Sequence, residues 1–195
     1  MGKVIVTAAV SLDGFMAFED DTVGPLFDWY GNGDVAGTLG DPDRVFHTTA
    51  ASAGYLREVA GRVRACVVGR RLFDLTNGWG GVPPAGEHVV VVTHEPPTDW
   101  PFPDAPFTFV PEGVAAAVEQ ARTYGGDVSV TAGEIGGQAL AAGVVDEVHL
   151  NLVPVLLGSG RPFFGANGAG SHLLENRRVI EGDRVVHLIY AVRGR

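Results

Sequence analysis

Val89-Val90-Val91-Val92 is apolar at every position, so a strand built from it is buried on both faces. Such a strand belongs inside a parallel sheet with helices on each side, and not in an antiparallel sheet with one wet face. Other short apolar runs, rich in Val and Ile, read as strands over residues 4–10, 65–68, 107–110, 128–131, 148–155 and 185–192. Helical spacing appears between them. Residues 50–61 carry Tyr55, Leu56 and Val59, and residues 114–124 carry Val114, Ala117, Val118 and Ala121 on one stripe. A short small-residue helix over 136–142 ends at Gly143, a suitable cap. The alternation predicts an α/β fold with a mostly parallel central sheet in three layers. Gly182-Asp183 joins residues 179–181 to the last strand and reads as a hairpin, so the C-terminal edge is expected to be antiparallel.

At 195 residues the chain is expected to form a single domain, with no repeat and no linker. The lone Cys66 excludes a disulfide framework and a cysteine-based zinc site. The six histidines show no metal-ligand spacing, so no metal is expected. Acidic residues outnumber Lys and Arg by 23 to 14, which disfavours nonspecific nucleic-acid binding. No apolar run approaches the roughly 20 residues of a membrane span, and the chain enters Lys3-Val4-Ile5-Val6 without a leader pattern. The expectation is a cytoplasmic protein. The 28 glycines are about twice ordinary usage, and many lie in long loops at 18–49 and 76–87, a common place for function.

The first strand lacks G-x-G-x-x-G, which weighs against an ordinary dinucleotide fold. Two other strand ends carry candidate phosphate sites. Gly69-Arg70-Arg71-Leu72-Phe73-Asp74 places backbone N–H groups and two guanidinium groups at a helix start, where the alternative is a solvated helix end. Ala132-Gly133-Glu134-Ile135-Gly136-Gly137 permits close approach of a pyrophosphate, or equally tight helix-to-sheet packing. A third strand ends at Thr93-His94. Ligands of open α/β sheets bind outside the carboxyl ends of the strands, and three such loops on one rim favour a dinucleotide.

Ser11-Leu12-Asp13-Gly14-Phe15, the Gly69–Asp74 hexapeptide, and residues 140–148 followed by 153–165 resemble the dihydrofolate reductase superfamily. Within it they are most similar to the stand-alone branch related to the reductase domain of the riboflavin-biosynthesis deaminase-reductase. The resemblance runs in order along nearly the whole chain and is weakest over 18–49. It implies a dihydrofolate-reductase-like fold and NADPH as hydride donor to a C=N or C=O of a small heterocycle, pterin-like or ribosylaminopyrimidine-like. Carried over residue by residue, Ala8, Ala9 and Met16 lie near the nicotinamide. Gly69, Arg70, Arg71 and Leu72 hold phosphates, and Thr93 and His94 meet the adenosine 2′-phosphate together with Arg71. Gly133, Glu134, Ile135 and Gly136 line the pyrophosphate and ribose. The family commonly forms homodimers, so a second copy is an expected partner beside the small-molecule substrate.

The chain departs from the family pattern in three places. A usual Gly-Gly pair reads Thr131-Ala132 or, with a one-residue slip, Ala132-Gly133. The usual Thr of the arginine motif is Leu72. The helix that carries a pterin-binding acid in dihydrofolate reductases has no carboxylate over 47–56, while Glu58 comes later and is expected to face solvent. These departures keep two alternatives open: a ribosylaminopyrimidine reductase of riboflavin synthesis, or a nucleotide-binding protein without turnover. The chain lacks the H-x-E and P-C-x-x-C of a zinc deaminase. Asp13 is a candidate proton donor, or a turn residue capping its own backbone. Trp29, Tyr55 and Asn151 are candidate substrate contacts, or else core anchors and a satisfied strand amide. Asp146-Glu147 reads as a solvated pair before a strand.

Overall fold

The computed structural model describes residues 2–166 and 170–193. In chain order the strands are β1 (Val4–Ser11), β2 (Phe15–Ala17), β3 (Val35–Gly37), β4 (Phe46–Thr48), β5 (Val63–Gly69), β6 (His88–Val92), β7 (Phe107–Val110), β8 (Asp127–Thr131), β9 (Glu147–Val153), β10 (Arg161–Pro162), β11 (Leu174–Glu181) and β12 (Val186–Val192). The α-helices are α1 (Ala50–Ala60), α2 (Arg70–Leu75), α3 (Val114–Arg122) and α4 (Glu134–Ala141).

One eight-stranded sheet runs β11-β12-β9-β1-β8-β5-β6-β7. The pairs from β9 through β7 are parallel, whereas β12 is antiparallel to both β9 and β11. This is the mostly parallel sheet with an antiparallel C-terminal edge that the apolar runs and the Gly182 hairpin predict. The arm before the hairpin is longer than residues 179–181, reaching back to Leu174. The strand expected over 148–155 stops at Val153, because Pro154 has no N–H for the ladder. The 18–49 loop holds structure that its Gly- and Asp-rich sequence hides: a 3-10 turn, Gly24–Gly31, and the small β3–β4 hairpin.

Alternation along the strands divides the core. Val4, Val6, Val67, Val90, Val130 and Val148 face α3 and α4, whose Ala117, Val118, Ala121, Ala139 and Leu140 close that layer. The opposite face carries two clusters. Phe73 of α2 packs on Val63, Cys66, Val68, Val89 and Val91, while Leu26 and Trp29 of the 3-10 turn pack on Ala9, Val153 and Val185. Helix α1, capped by Thr49 Oγ1, lies over the same face. All the burial of Val89 to Val91 expected from four consecutive valines is realised.

The Asp146-Glu147 pair is not solvated as expected. Asp146 accepts the Val4 N–H at 2.8 Å. Glu147 is buried between β1 and β12, where it accepts from Lys3 Nζ at 2.7 Å and lies 3.1 Å from His149 Nε2. Burial raises its pKa, but Lys3 and then His149 outweigh that and hold the carboxyl below its ordinary value. Glu58 is exposed, as expected, and pairs at the surface with Arg178 at 2.6 Å and Arg62 at 3.6 Å.

Candidate active site

The parallel strands β1, β8, β5 and β6 are neighbours, so the loops after Ser11, Thr131, Gly69 and Val92 emerge on one edge of the sheet. Ligand sites of open α/β sheets form at such an edge. At one end, the Arg70 guanidinium spans the β5 and β6 termini. Its Nη1 donates to the Glu95 carbonyl at 2.6 Å and to Thr93 Oγ1 at 3.4 Å, while Nε is held by Asp74 at 2.8 Å. His94 beside it is exposed. Arg71, expected to meet His94 at one phosphate, instead places its guanidinium on Asp21. Adjacent helix residues point about 100° apart, so only one of the two arginines reaches the β6 terminus. Leu72 turns its side chain into the core against Phe73 and Val68, leaving only its backbone for a ligand.

The middle of the edge is Gly133, with φ 83° and ψ −149° ahead of α4. A Cβ there would stand 2.8 Å from Met16 Cε, and one on Gly69 would stand 2.8 Å from Ile135 Cγ1. Gly133 thus packs against Met16, and Gly69 against Ile135. The Gly133 N–H donates to the Phe163 carbonyl at 2.7 Å, and Glu134 accepts the Ala166 N–H at 2.6 Å. Gly136 serves packing, because a Cβ there would meet Val6 Cγ1 at 2.9 Å and the Thr131 carbonyl at 3.0 Å. Ala8 and Ala9 lie on opposite faces of β1, Ala8 toward the α4 layer and Ala9 toward Trp29.

Asp13 holds the β1 turn to the segment after β9. Its carboxylate accepts from Ser11 Oγ at 2.5 Å and from the N–H groups of Leu157 and Gly158 at 3.2 and 2.7 Å. The Ser11 bond first, with those backbone donors, keeps its pKa below the usual value. These three bonds give the Asp13 carboxylate a turn-holding role.

Trp29, Tyr55 and Asn151 converge, around a residue that sequence reasoning passed over. His187 is fully buried. Its Nδ1 lies 2.7 Å from Asn151 Oδ1 and its Nε2 2.9 Å from Ser52 Oγ. The Tyr55 ring stacks on it at 4.4 Å, and Trp29 meets it edge-on at 5.2 Å. Nδ1–H donating to Asn151 and Nε2 accepting from Ser52 satisfy the neutral ring, and burial lowers its pKa to about 4. The Tyr55 hydroxyl lies 3.1 Å from His149 Nδ1, and burial pushes the phenol up. The Trp29 indole N–H is buried without a partner among the described residues. Glu147, His149 and Asn151 alternate along an otherwise apolar strand, a period-two polar stripe that marks this face of β9 in the sequence itself. On α1, where dihydrofolate reductases carry an acid, Ser52 and Tyr55 face this cluster.

A three-layer domain with this strand order, an arginine-bearing strand end and a glycine-led α4 is a dihydrofolate-reductase-like reductase domain. The model of the RibD C-terminal domain family matches residues 2–188, and the chain belongs to that family, the reductase domain of the riboflavin-biosynthesis deaminase-reductase. No curated protein matches it. Among solved structures, a putative riboflavin biosynthesis protein from Shewanella sp. PV-4 is 21% identical with a TM-score of 0.69, over 98% of this chain and 99% of that one. The Thermotoga maritima deaminase/5-amino-6-(5-phosphoribosylamino)uracil reductase is 12% identical with a TM-score of 0.66, over 98% of this chain and 56% of that one. A pyrimidine reductase-like protein from Corynebacterium diphtheriae is 15% identical with a TM-score of 0.62, over 100% and 93%. At these identities the likeness is one of fold. No helix among the described residues is long and apolar enough to cross a membrane.

Proposed function

We propose that the protein is an NADPH-dependent reductase acting on a C=N or C=O of a small heterocycle, with a ribosylaminopyrimidine as the favoured substrate class. The observation that carries this reading is the row of strand ends running from Arg70 and Thr93 through Gly133 to Met16. These residues fit such a cofactor. Arg70, Thr93 and His94 would hold the 2′-phosphate, and the backbone at Gly69, Arg71 and Leu72 and at Gly133 to Ile135 would meet the pyrophosphate. Ala8, Ala9 and Met16 would flank the nicotinamide. When bound, NADPH supplies the hydride.

The chain's own part is alignment and exclusion of water. Trp29 meets Tyr30 at a tilt and Tyr30 stacks on Phe46, a run of rings on the face proposed for the substrate. The Trp29 N–H, buried without a partner among the described residues, would donate to a substrate acceptor such as a ring carbonyl once the aromatic cluster admits one. Asp13 and His187 are both engaged in internal hydrogen bonds, which supports water as the proton source.

Fluorescence titration with NADPH and NADH, followed by NADPH oxidation with ribosylaminopyrimidine, pterin and small carbonyl acceptors, tests the reading. NADPH bound below millimolar and oxidised by the aminopyrimidine is the expected result. Tight NADPH binding without oxidation by any acceptor would favour a binding protein, a reading supported by the internal engagement of Tyr55 and Asn151.

A further inference from the structure

Asp21 sits where two arginines, distant in sequence, meet. Arg71 Nε donates to its two carboxylate oxygens at 3.0 and 3.1 Å, and Arg71 Nη2 also donates to Oδ2. Arg161, on β10, donates from Nε to Oδ1 at 3.0 Å and from Nη2 to the Glu19 carbonyl at 2.8 Å. The carboxylate is covered, with 13% side-chain exposure, while the Arg71 and Arg161 side chains are 63% and 39% exposed. Two half-open guanidinium groups converging on one anionic group make a geometry suited to a phosphate.

The turn that carries Asp21 closes without its carboxylate. Phe18 N–H donates to the Thr22 carbonyl at 2.8 Å, Asp21 N–H to the Phe18 carbonyl at 3.0 Å, and Thr22 donates twice to Asp20. Asp21 also adopts φ 68°, in the left-handed region that L-residues avoid. Its side chain is therefore delivered to the arginines by a turn built from other groups. Both arginines border the site: Arg71 follows the β5 terminus, and Arg161 lies two residues before Phe163, whose carbonyl receives the Gly133 N–H.

We propose that Arg71 and Arg161 form a clamp for a phosphoryl group of an incoming ligand, with the Asp21 carboxylate as its internal stand-in. Ligand binding exchanges carboxylate for phosphate on the two guanidinium groups and frees the turn at 18–22. Two phosphate sources share this chemistry, the pyrophosphate of the nucleotide and the phosphate end of a phosphoribosyl substrate. Only the naming of the source rests on the function proposed above; the clamp does not.

The experiment measures dissociation constants of NADPH and of ribose 5-phosphate for the full chain and for Asp21→Asn, Asp21→Ala and Arg161→Gln. Removing the stand-in tightens one ligand about three- to tenfold, and Arg161→Gln weakens the same ligand. Tightening of NADPH assigns the clamp to the nucleotide, and tightening of ribose 5-phosphate assigns it to the substrate. If neither Asp21 variant tightens either ligand, or Arg161→Gln changes neither, the clamp is overturned and Asp21 is a loop staple. A variant that merely loosens the fold weakens binding, which is the opposite sign. Failure of the unaltered chain to bind NADPH overturns the nucleotide reading alone, because the ribose 5-phosphate arm still tests the clamp.

Discussion

Nδ1 of His187 lies 2.7 Å from Oδ1 of Asn151, its register partner across the antiparallel β9–β12 pair. The bond depends on a neutral imidazole, and burial holds the His187 pKa down to about 4. The unfolded chain takes up the proton near 6.5. Between those values the unfolded state binds more protons than the folded one, so stability rises with pH. The loss on acidification from pH 7 to 4.5 should be on the order of 2 kcal/mol larger for the unaltered chain than for His187→Gln. Urea unfolding at the two pH values measures it; equal losses would contradict the buried neutral ring.

Arg70 and Arg71 are adjacent in sequence but serve different contacts, one at Thr93 and the other at Asp21. Arg70→Ala and His94→Ala should weaken NADPH at least tenfold more than NADH. Arg71→Ala should change the affinities for the two nucleotides by the same factor. Fluorescence titration of each variant with both nucleotides reads the difference, and NADPH-selective loss in Arg71→Ala would return the 2′-phosphate to that residue.

The Trp29 N–H is buried without a partner among the described residues, and the proposed function would have it donate to a substrate acceptor. Trp29→Phe keeps an aromatic ring in the cluster but removes the donor. The KM of the acceptor substrate should rise about tenfold, the loss of one hydrogen bond in a dry site, while the NADPH dissociation constant stays unchanged. A parallel change in both constants would place Trp29 in the scaffold alone.

Residues Asn77 to Gly80 all have positive φ, a left-handed turn between α2 and β6. Gly78 is buried within it, and a Cβ there would stand 2.6 Å from Trp100 Cζ2 and 2.8 Å from Phe73 Cε2. Those rings pack on each other and on Phe107, so neither can retreat easily. Gly78→Ala should destabilise the chain by about 2–4 kcal/mol, measured by thermal or urea unfolding.

Much of this protein is local, and local features are legible. Consecutive valines are apolar on both faces of a strand whatever surrounds them, so the buried parallel core follows from Val89 to Val92. Gly182-Asp183 marks where the hairpin falls, although the left-handed φ in its loop is taken by Arg184, and the strand-end motifs at Gly69 and Gly133 point to the rim because the carboxyl ends of parallel strands share one edge. Partner choice over long separations is a different matter. Asp21 meets Arg71 and Arg161 across 50 and 140 residues, and Ser52 meets His187 across 135. No periodicity encodes such pairs. Glu147 looked solvated because it follows Asp146 as an acidic pair ahead of a strand, yet β1 and β12 enclose it and Lys3 neutralises it. The sequence by itself determined the layers and the edge at which the proposed ligand site lies. Tertiary structure alone decided which charged and polar groups face one another there, because desolvation and pairing depend on which strands become neighbours.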